Sequence, residues 1–420
     1  MYHCLVMADS EPAALHTAVA TDFLSVSERA KPHTKLIALL ALGHFVIDVN
    51  QGALPAVLPF LKQAHALSYA QAAMIVLAAN VTSSIIQPLF GYLSDQIARR
   101  WLLPLSVFVS GLGIGLLGLA TGYPAIVTLV VALGLGVAAW HPEGYKTATS
   151  VAGDRKATAL SWFSLGGNVG IAVGPPLMTF LIAGLAGDAL RPAYTLGMLG
   201  PTLVVGTLLI AVLPALARES SPPAATLRAA GRGLNMPGAM ALLILVVTVR
   251  AWSSLGFSTF VPFYYVDTLQ ADPRMVGVVL FVFLGAGALG TVVAGPIADR
   301  VGPRTFMQWV LLAAIPFGAL FLVASGPLAF VALGLFGAVL TSSFSVSVVL
   351  GQAYLPRNAG MASGLIVGFA IGLGGAGVTA LGWVADRWGV PTALWISALL
   401  PLGGFVLTRL LPAPRDRAVA

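Results

Sequence analysis

Two acidic residues and two histidines lie deep inside apolar stretches of this chain: His44 and Asp48 in GHFVIDVNQG, and His141 and Glu143 in AWHPEGYK. An ionisable side chain at bilayer depth costs ~2.5–3.5 kcal/mol on insertion scales, so it normally faces a cavity and acts there. His44 and Asp48 are four residues apart, on one face of a helix, and Gln51 extends that face by a turn. An imidazole beside a carboxylate forms a pair that titrates as a unit, which is what a proton-coupled carrier requires. The alternative is a satisfied polar pair that ties the helix to a neighbour.

Pro142 removes a backbone donor between His141 and Glu143, which predicts a broken helix there. On a regular helix positions 141 and 143 point apart, and Glu143 has a second potential partner in Lys146. Arg250, in ILVVTVRAWSSLGF, is the one basic residue in mid-span, so a carboxylate partner is expected, with Asp48 and Glu143 the deep candidates. It would either bind an anionic substrate or hold a carboxylate charged until protonation releases it. Gln51, Asn80, Gln87 and Asn168 supply further polar contacts for a cavity, and Trp252 and Phe257 supply aromatic ones.

The elements that must position these groups are membrane spans. The 420 residues are 58% hydrophobic and 9% charged, which excludes an ordinary soluble domain. Twelve apolar segments are predicted, starting near Leu36, Ala70, Leu102, Ala125, Ala157, Ala193, Gly238, Met275, Thr305, Pro327, Gly360 and Thr392. With the N-terminus inside, only Lys62, Arg191, Arg274 and Arg387 fall outside, while Arg99, Arg100, Lys146, Arg300, Arg304 and the remaining basic residues except Arg250 fall inside. That asymmetry predicts a multi-pass membrane protein with both termini cytoplasmic.

A Pro-, Ser- and Arg-rich connection divides the spans six and six. The expected organisation is a cytoplasmic tail (1–35), a six-helix bundle (36–216), a cytoplasmic linker (217–237), a second six-helix bundle (238–411) and a short tail (412–420). The first 35 residues lack the basic start and apolar run of a signal peptide, and Met7 is an alternative initiator to Met1. The net charge of +7 comes without a basic run or zinc spacing, so nucleic acid is not expected as a partner. The lone Cys4 gives neither an intramolecular disulfide nor a thiolate cluster, and neither a metal nor a cofactor is expected.

The two halves repeat. GYLSDQIARR follows the second span, GPIADRVGPR follows the eighth, and GWVADRWG after the eleventh is a weaker echo. These loops resemble the cytoplasmic motif of the major facilitator superfamily, carried by Gly91, Asp95, Arg99 and Arg100 in the first copy and by Gly295, Asp299, Arg300, Gly302 and Arg304 in the second. Ala98 stands where the family prefers glycine. The resemblance implies an all-α integral membrane fold of twelve transmembrane helices in two pseudo-symmetric bundles, with these loops as gating clamps of the outward-open state.

Within that superfamily, GHFVIDVNQG, GLGVAAWHPE, SLGGNVGIAVGPPL and GMASGLIVGFAIGLGGAG are similar to the fosmidomycin resistance group of proton-driven efflux proteins. Gly166, Gly170 and Gly174, followed by Pro175 and Pro176, resemble the fifth-span pattern of superfamily antiporters and form a ridge that admits a close neighbour. The resemblance implies a monomer in the lipid bilayer that exchanges protons for a small molecule, including drugs such as a phosphonate antibiotic.

Three other classes compete. A proton-coupled importer differs only in direction. A channel would dispense with duplicated gates. His44 and Asp48 also have the His-x-x-x-Asp spacing of acyltransferases, but no nucleophile, metal set or phosphate loop accompanies them, so an enzyme is not expected.

Overall fold

The computed structural model describes residues 33–90, 100–153, 156–184, 192–218, 234–370 and 372–414. Among these, twelve helices are long and apolar enough to cross a membrane. They are α1 Thr34–His65, α2 Tyr69–Phe90, α3 Leu102–Leu119, α4 Tyr123–Ser150, α5 Ala159–Ala183, α6 Ala193–Arg218, α7 Pro237–Thr268, α8 Met275–Val301, α9 Pro303–Val323, α10 Pro327–Tyr354, α11 Met361–Trp388 and α12 Val390–Arg409. Continuous helix is the expected outcome for such apolar runs, because hydrocarbon offers no partner for an unpaired backbone group.

α1 packs most extensively on α5 and also touches α3, α4 and α6, whereas α7 packs on α10, α11 and α12. The halves meet along α2–α11 and α5–α8, with α1 against α7 between them. The glycines of α5 set the closest of these approaches. A Cβ at Gly166 or Gly170 would collide with the carbonyl oxygen of Ala41 or Phe45, and one at Gly174 would lie 2.5 Å from that of Val49. Side-chain-free backbones therefore touch over two turns, and this fixes α1 against α5.

α4 runs unbroken from Tyr123 to Ser150 with Pro142 inside it, so the predicted break is absent. Trp140, Glu143 and Gly144, which flank the proline, are buried. Wider π-helical turns occur instead at Val81–Ile85 in α2 and Leu365–Ala370 in α11, where these two helices face each other.

The second copy of the loop motif ends α8. Gly302 adopts φ 87°, its N–H bonds to the Ala298 carbonyl at 2.8 Å, and Pro303 opens α9. The weaker echo behaves likewise: Gly389 at φ 86° closes α11 ahead of Pro391 in α12. Gly91, Asp95 and Arg99 of the first copy lie outside the described residues, as do residues 1–32, 219–233 and 415–420.

Candidate functional site

Gly43 has room for no side chain because the Trp140 ring of α4 fills that space. This contact draws α1 onto α4 and sets His44 beside His141. Their Nε2 atoms are 3.4 Å apart; His44 Nε2 is 3.4 Å from Asp48 Oδ2, and His141 Nε2 is 3.7 Å from Asp48 Oδ1. His44 and Asp48 are buried, while His141 keeps 19% of its side-chain surface.

The far side of each ring is fixed. His44 Nδ1 donates to the Phe163 carbonyl at 2.8 Å, and His141 Nδ1 to the Val137 carbonyl at 2.9 Å. A ring that donates from Nδ1 has a bare lone pair at Nε2 when neutral. Two lone pairs and a carboxylate then face one gap, an arrangement short of one positive charge. Phe163 stacks on His44 at a centroid distance of 4.2 Å, and Tyr145 packs edge-on against both rings.

Glu143 leaves this cluster. It is wholly buried and accepts from Arg100 Nη1 at 2.8 Å; the same guanidinium donates to Thr147 Oγ1 at 2.5 Å and Ser150 Oγ at 3.2 Å. Arg100, which enters from just before α3, is thus a partner of Glu143 that its local sequence did not announce. Glu143 lies two positions beyond His141, and this rotates the carboxylate to another face of α4.

Arg250 is buried in α7, and among the described residues no carboxylate lies within ion-pair distance of it. Its Nε has no hydrogen-bond partner, and its guanidinium carbon lies 5.6 Å from the centre of the Phe344 ring. The expected pairing with Asp48 or Glu143 is thus not formed, since those carboxylates hold His44 and Arg100 instead. Asp48 is the fifteenth residue of α1 and Arg250 the fourteenth of α7, so the two charges occupy matching levels of the duplicated helices.

The remaining candidates divide. Gln51 and Gln87 are partly exposed and Asn168 is exposed, whereas Asn80 is buried and donates to the Val76 carbonyl of its own helix. Trp252 bonds through Nε1 to the Leu373 carbonyl at 3.0 Å and lies over Gly377, which anchors α7 to α11. Phe257 is wholly buried against Phe283, Phe321 and Phe336 and belongs to the packed core rather than a cavity wall.

Of the second motif copy, Asp299 and Arg300 are exposed and Gly295 has open space around it. Arg304 Nη2 donates to the Arg409 carbonyl at 3.3 Å, a bond within the C-terminal half.

The opposite end of the molecule carries polar contacts that the loop repeat only hinted at. Asp386, in the echo motif, accepts from the backbone N–H of Tyr69 at 2.7 Å and of Ala70 at 2.9 Å, so it caps α2 across the two halves. Asp267 of α7 accepts from the Tyr69 hydroxyl at 2.8 Å and pairs with Lys62 of α1 at 3.2 Å.

The family model of the Major Facilitator Superfamily matches residues 40–379 and 243–420. The chain belongs to this superfamily. As a major facilitator it is a multi-pass membrane protein and a secondary transporter of small molecules, not an enzyme. It is 33% identical over 388 residues to an uncharacterized MFS-type transporter, YfnC, of Bacillus subtilis (strain 168), covering 90% of this chain and 93% of that one. It is 30% identical over 398 residues to the fosmidomycin resistance protein of Escherichia coli (strain K12), covering 93% and 95%. The facilitator fold also matches the crystal structure of a bacterial homolog of the human lysosomal transporter Spinster, in an inward-facing and unoccupied conformation. That match has a TM-score of 0.74 at 15% identity, covering 92% of this chain and 99% of that one.

Proposed function

We propose that this facilitator is a proton-coupled antiporter of the inner membrane, with both termini cytoplasmic, that exports a small anionic molecule such as a phosphonate. The observation that carries this reading is the gap where His44, His141 and Asp48 converge, built to hold one positive charge and poor without it. A proton entering the gap satisfies all three groups, and its departure leaves a repulsive set that favours another packing of α1 against α4. Glu143 serves this site indirectly: its pair with Arg100 holds the end of α4 that bears His141.

Arg250 is the proposed anion site. A buried guanidinium without a carboxylate is costly, and an anionic substrate brought beside it would supply the missing charge. The similarity to the fosmidomycin resistance protein supports a phosphonate class and outward transport. The Arg-rich loops at the two termini and between even and odd spans support the orientation.

The test is transport in proteoliposomes with an imposed pH gradient, over a panel of phosphonates, neutral drugs and sugars, for the wild type and for Asp48→Asn. Movement driven by the gradient is expected in the wild type and only undriven exchange in the variant. Undiminished proton-driven transport by Asp48→Asn would remove the cluster from the coupling mechanism.

A further inference from the structure

The gap between His44, His141 and Asp48 has the dimensions of a metal site. A tetrahedral ion with bonds of about 2.0–2.1 Å sets its ligand atoms roughly 3.3–3.4 Å apart. The two Nε2 atoms and Asp48 Oδ2 show separations of 3.4 Å on two edges, and the 3.7 Å edge runs to the other carboxylate oxygen. All three residues offer a ligand atom within 4.8 Å of the others.

Independent features point the same way. Asp48 Oδ1 is buried without a hydrogen-bond partner, on a side chain with 9% of its surface exposed. Both imidazoles are oriented by carbonyls at Nδ1, the support that metal-bound histidines regularly have, and this aims both Nε2 lone pairs inward. Gly167 of α5 forms the remaining wall: a Cβ there would lie 2.5 Å from Asp48 Oδ2 and 2.6 Å from His44 Nε2. The partly exposed His141 provides the way in.

We propose that His44, His141 and Asp48 bind a first-row divalent transition ion with a fourth position open. Two imidazoles and a carboxylate without thiolate suit zinc, cobalt, nickel or iron rather than copper(I), and three protein ligands plus an open position is the pattern of accessible zinc sites. Binding of the ion stands apart from the transport reading; its effect on transport rests on that reading, because the ion would occupy the place of the coupling proton.

The experiment uses full-length protein purified in detergent with a tag free of histidine and stripped with a chelator. Calorimetric titration with Zn2+ should show one ion per chain, and Co2+ should give the intense visible absorption of a four-coordinate complex. X-ray absorption of the zinc form should show two imidazoles and oxygen at about 2.0–2.1 Å.

His141→Gln and Asp48→Asn should each weaken binding by at least ~100-fold, beyond the 10–100-fold typical of losing a supporting partner. His65→Gln, at the far end of α1, should not change it. Absence of stoichiometric binding, an oxygen-only shell in the wild type, or loss on His65→Gln with retention in His141→Gln would each overturn the site; the first two do not depend on any variant folding. Stoichiometric binding that leaves proton-driven transport untouched would support the metal site and count against the cluster as the coupling site.

Discussion

The two halves of this facilitator share a scaffold but not a chemistry. α1 and α7 occupy corresponding places, yet α1 presents Asp48 and His44 where α7 presents Arg250. α4 contributes His141 and Glu143, the latter paired with Arg100 from just before α3, while the corresponding α10 carries Ser342, Ser343 and Ser347, whose hydroxyls bond to carbonyls of their own helix. The N-terminal half thus holds the described titratable cluster, and the C-terminal half holds a buried guanidinium beside the Phe344 ring. The halves differ in the charges they bury, and under the proposed function this separates proton handling from anion binding.

The sharpest way to break this division is at the buried ion pair of the N-terminal half. Glu143→Gln leaves Arg100 uncompensated and should cost about 3–5 kcal/mol, read as a lowered Tm in detergent. Ser347→Ala, at the matching level of α10, removes only a bond within its own helix and should shift Tm far less.

Next comes a kinetic split. Arg250→Gln removes a charged hydrogen-bond donor worth about 1.5–3 kcal/mol, so KM for an anionic substrate should rise ~10–100-fold while proton-driven exchange persists. His141→Gln should do the reverse, losing the drive with little change in KM. Equal effects of both variants on both quantities would dissolve the proposed division.

How much of this was legible beforehand depended on the range of the interaction. Span positions, the duplication and the shared face of His44 and Asp48 follow from hydropathy and helical period, which are local properties. The glycine ridge of α5 was also readable, since close approach leaves its mark as a spacing of four. That His141 would join Asp48 while Glu143 turned to Arg100 was not readable, because it depends on which face of α4 the Gly43–Trp140 contact presents to α1. Nor does an aromatic residue announce whether it lines a cavity: Phe257 packs in the core, while Trp252 bonds across to α11. The role of Asp386 was hinted at by the second Ala-Asp-Arg-x-Gly, although its target on α2 lies 317 residues away along the chain.

Two smaller effects sharpen the contrast. Gly170→Ala forces a methyl into the Phe45 carbonyl and should destabilise by about 1–3 kcal/mol, whereas Gly295→Ala meets open space and should be near neutral; thermal melts of the pair compare them directly. Asp386→Asn weakens the cap on α2 by about 1 kcal/mol. The same thermal melts should show this as a smaller fall in Tm than Gly170→Ala gives.

The backbone contact between α1 and α5 has a mechanical meaning. Two helices whose main chains already touch have no slack to take up a displacement, so they move as one strut. α5 is also a helix that bears on the other half, through α8. A shift of the segment carrying His44 and Asp48 therefore takes α5 with it toward the boundary between the halves, where Gly277 of α8 lies against Pro176 and Thr179.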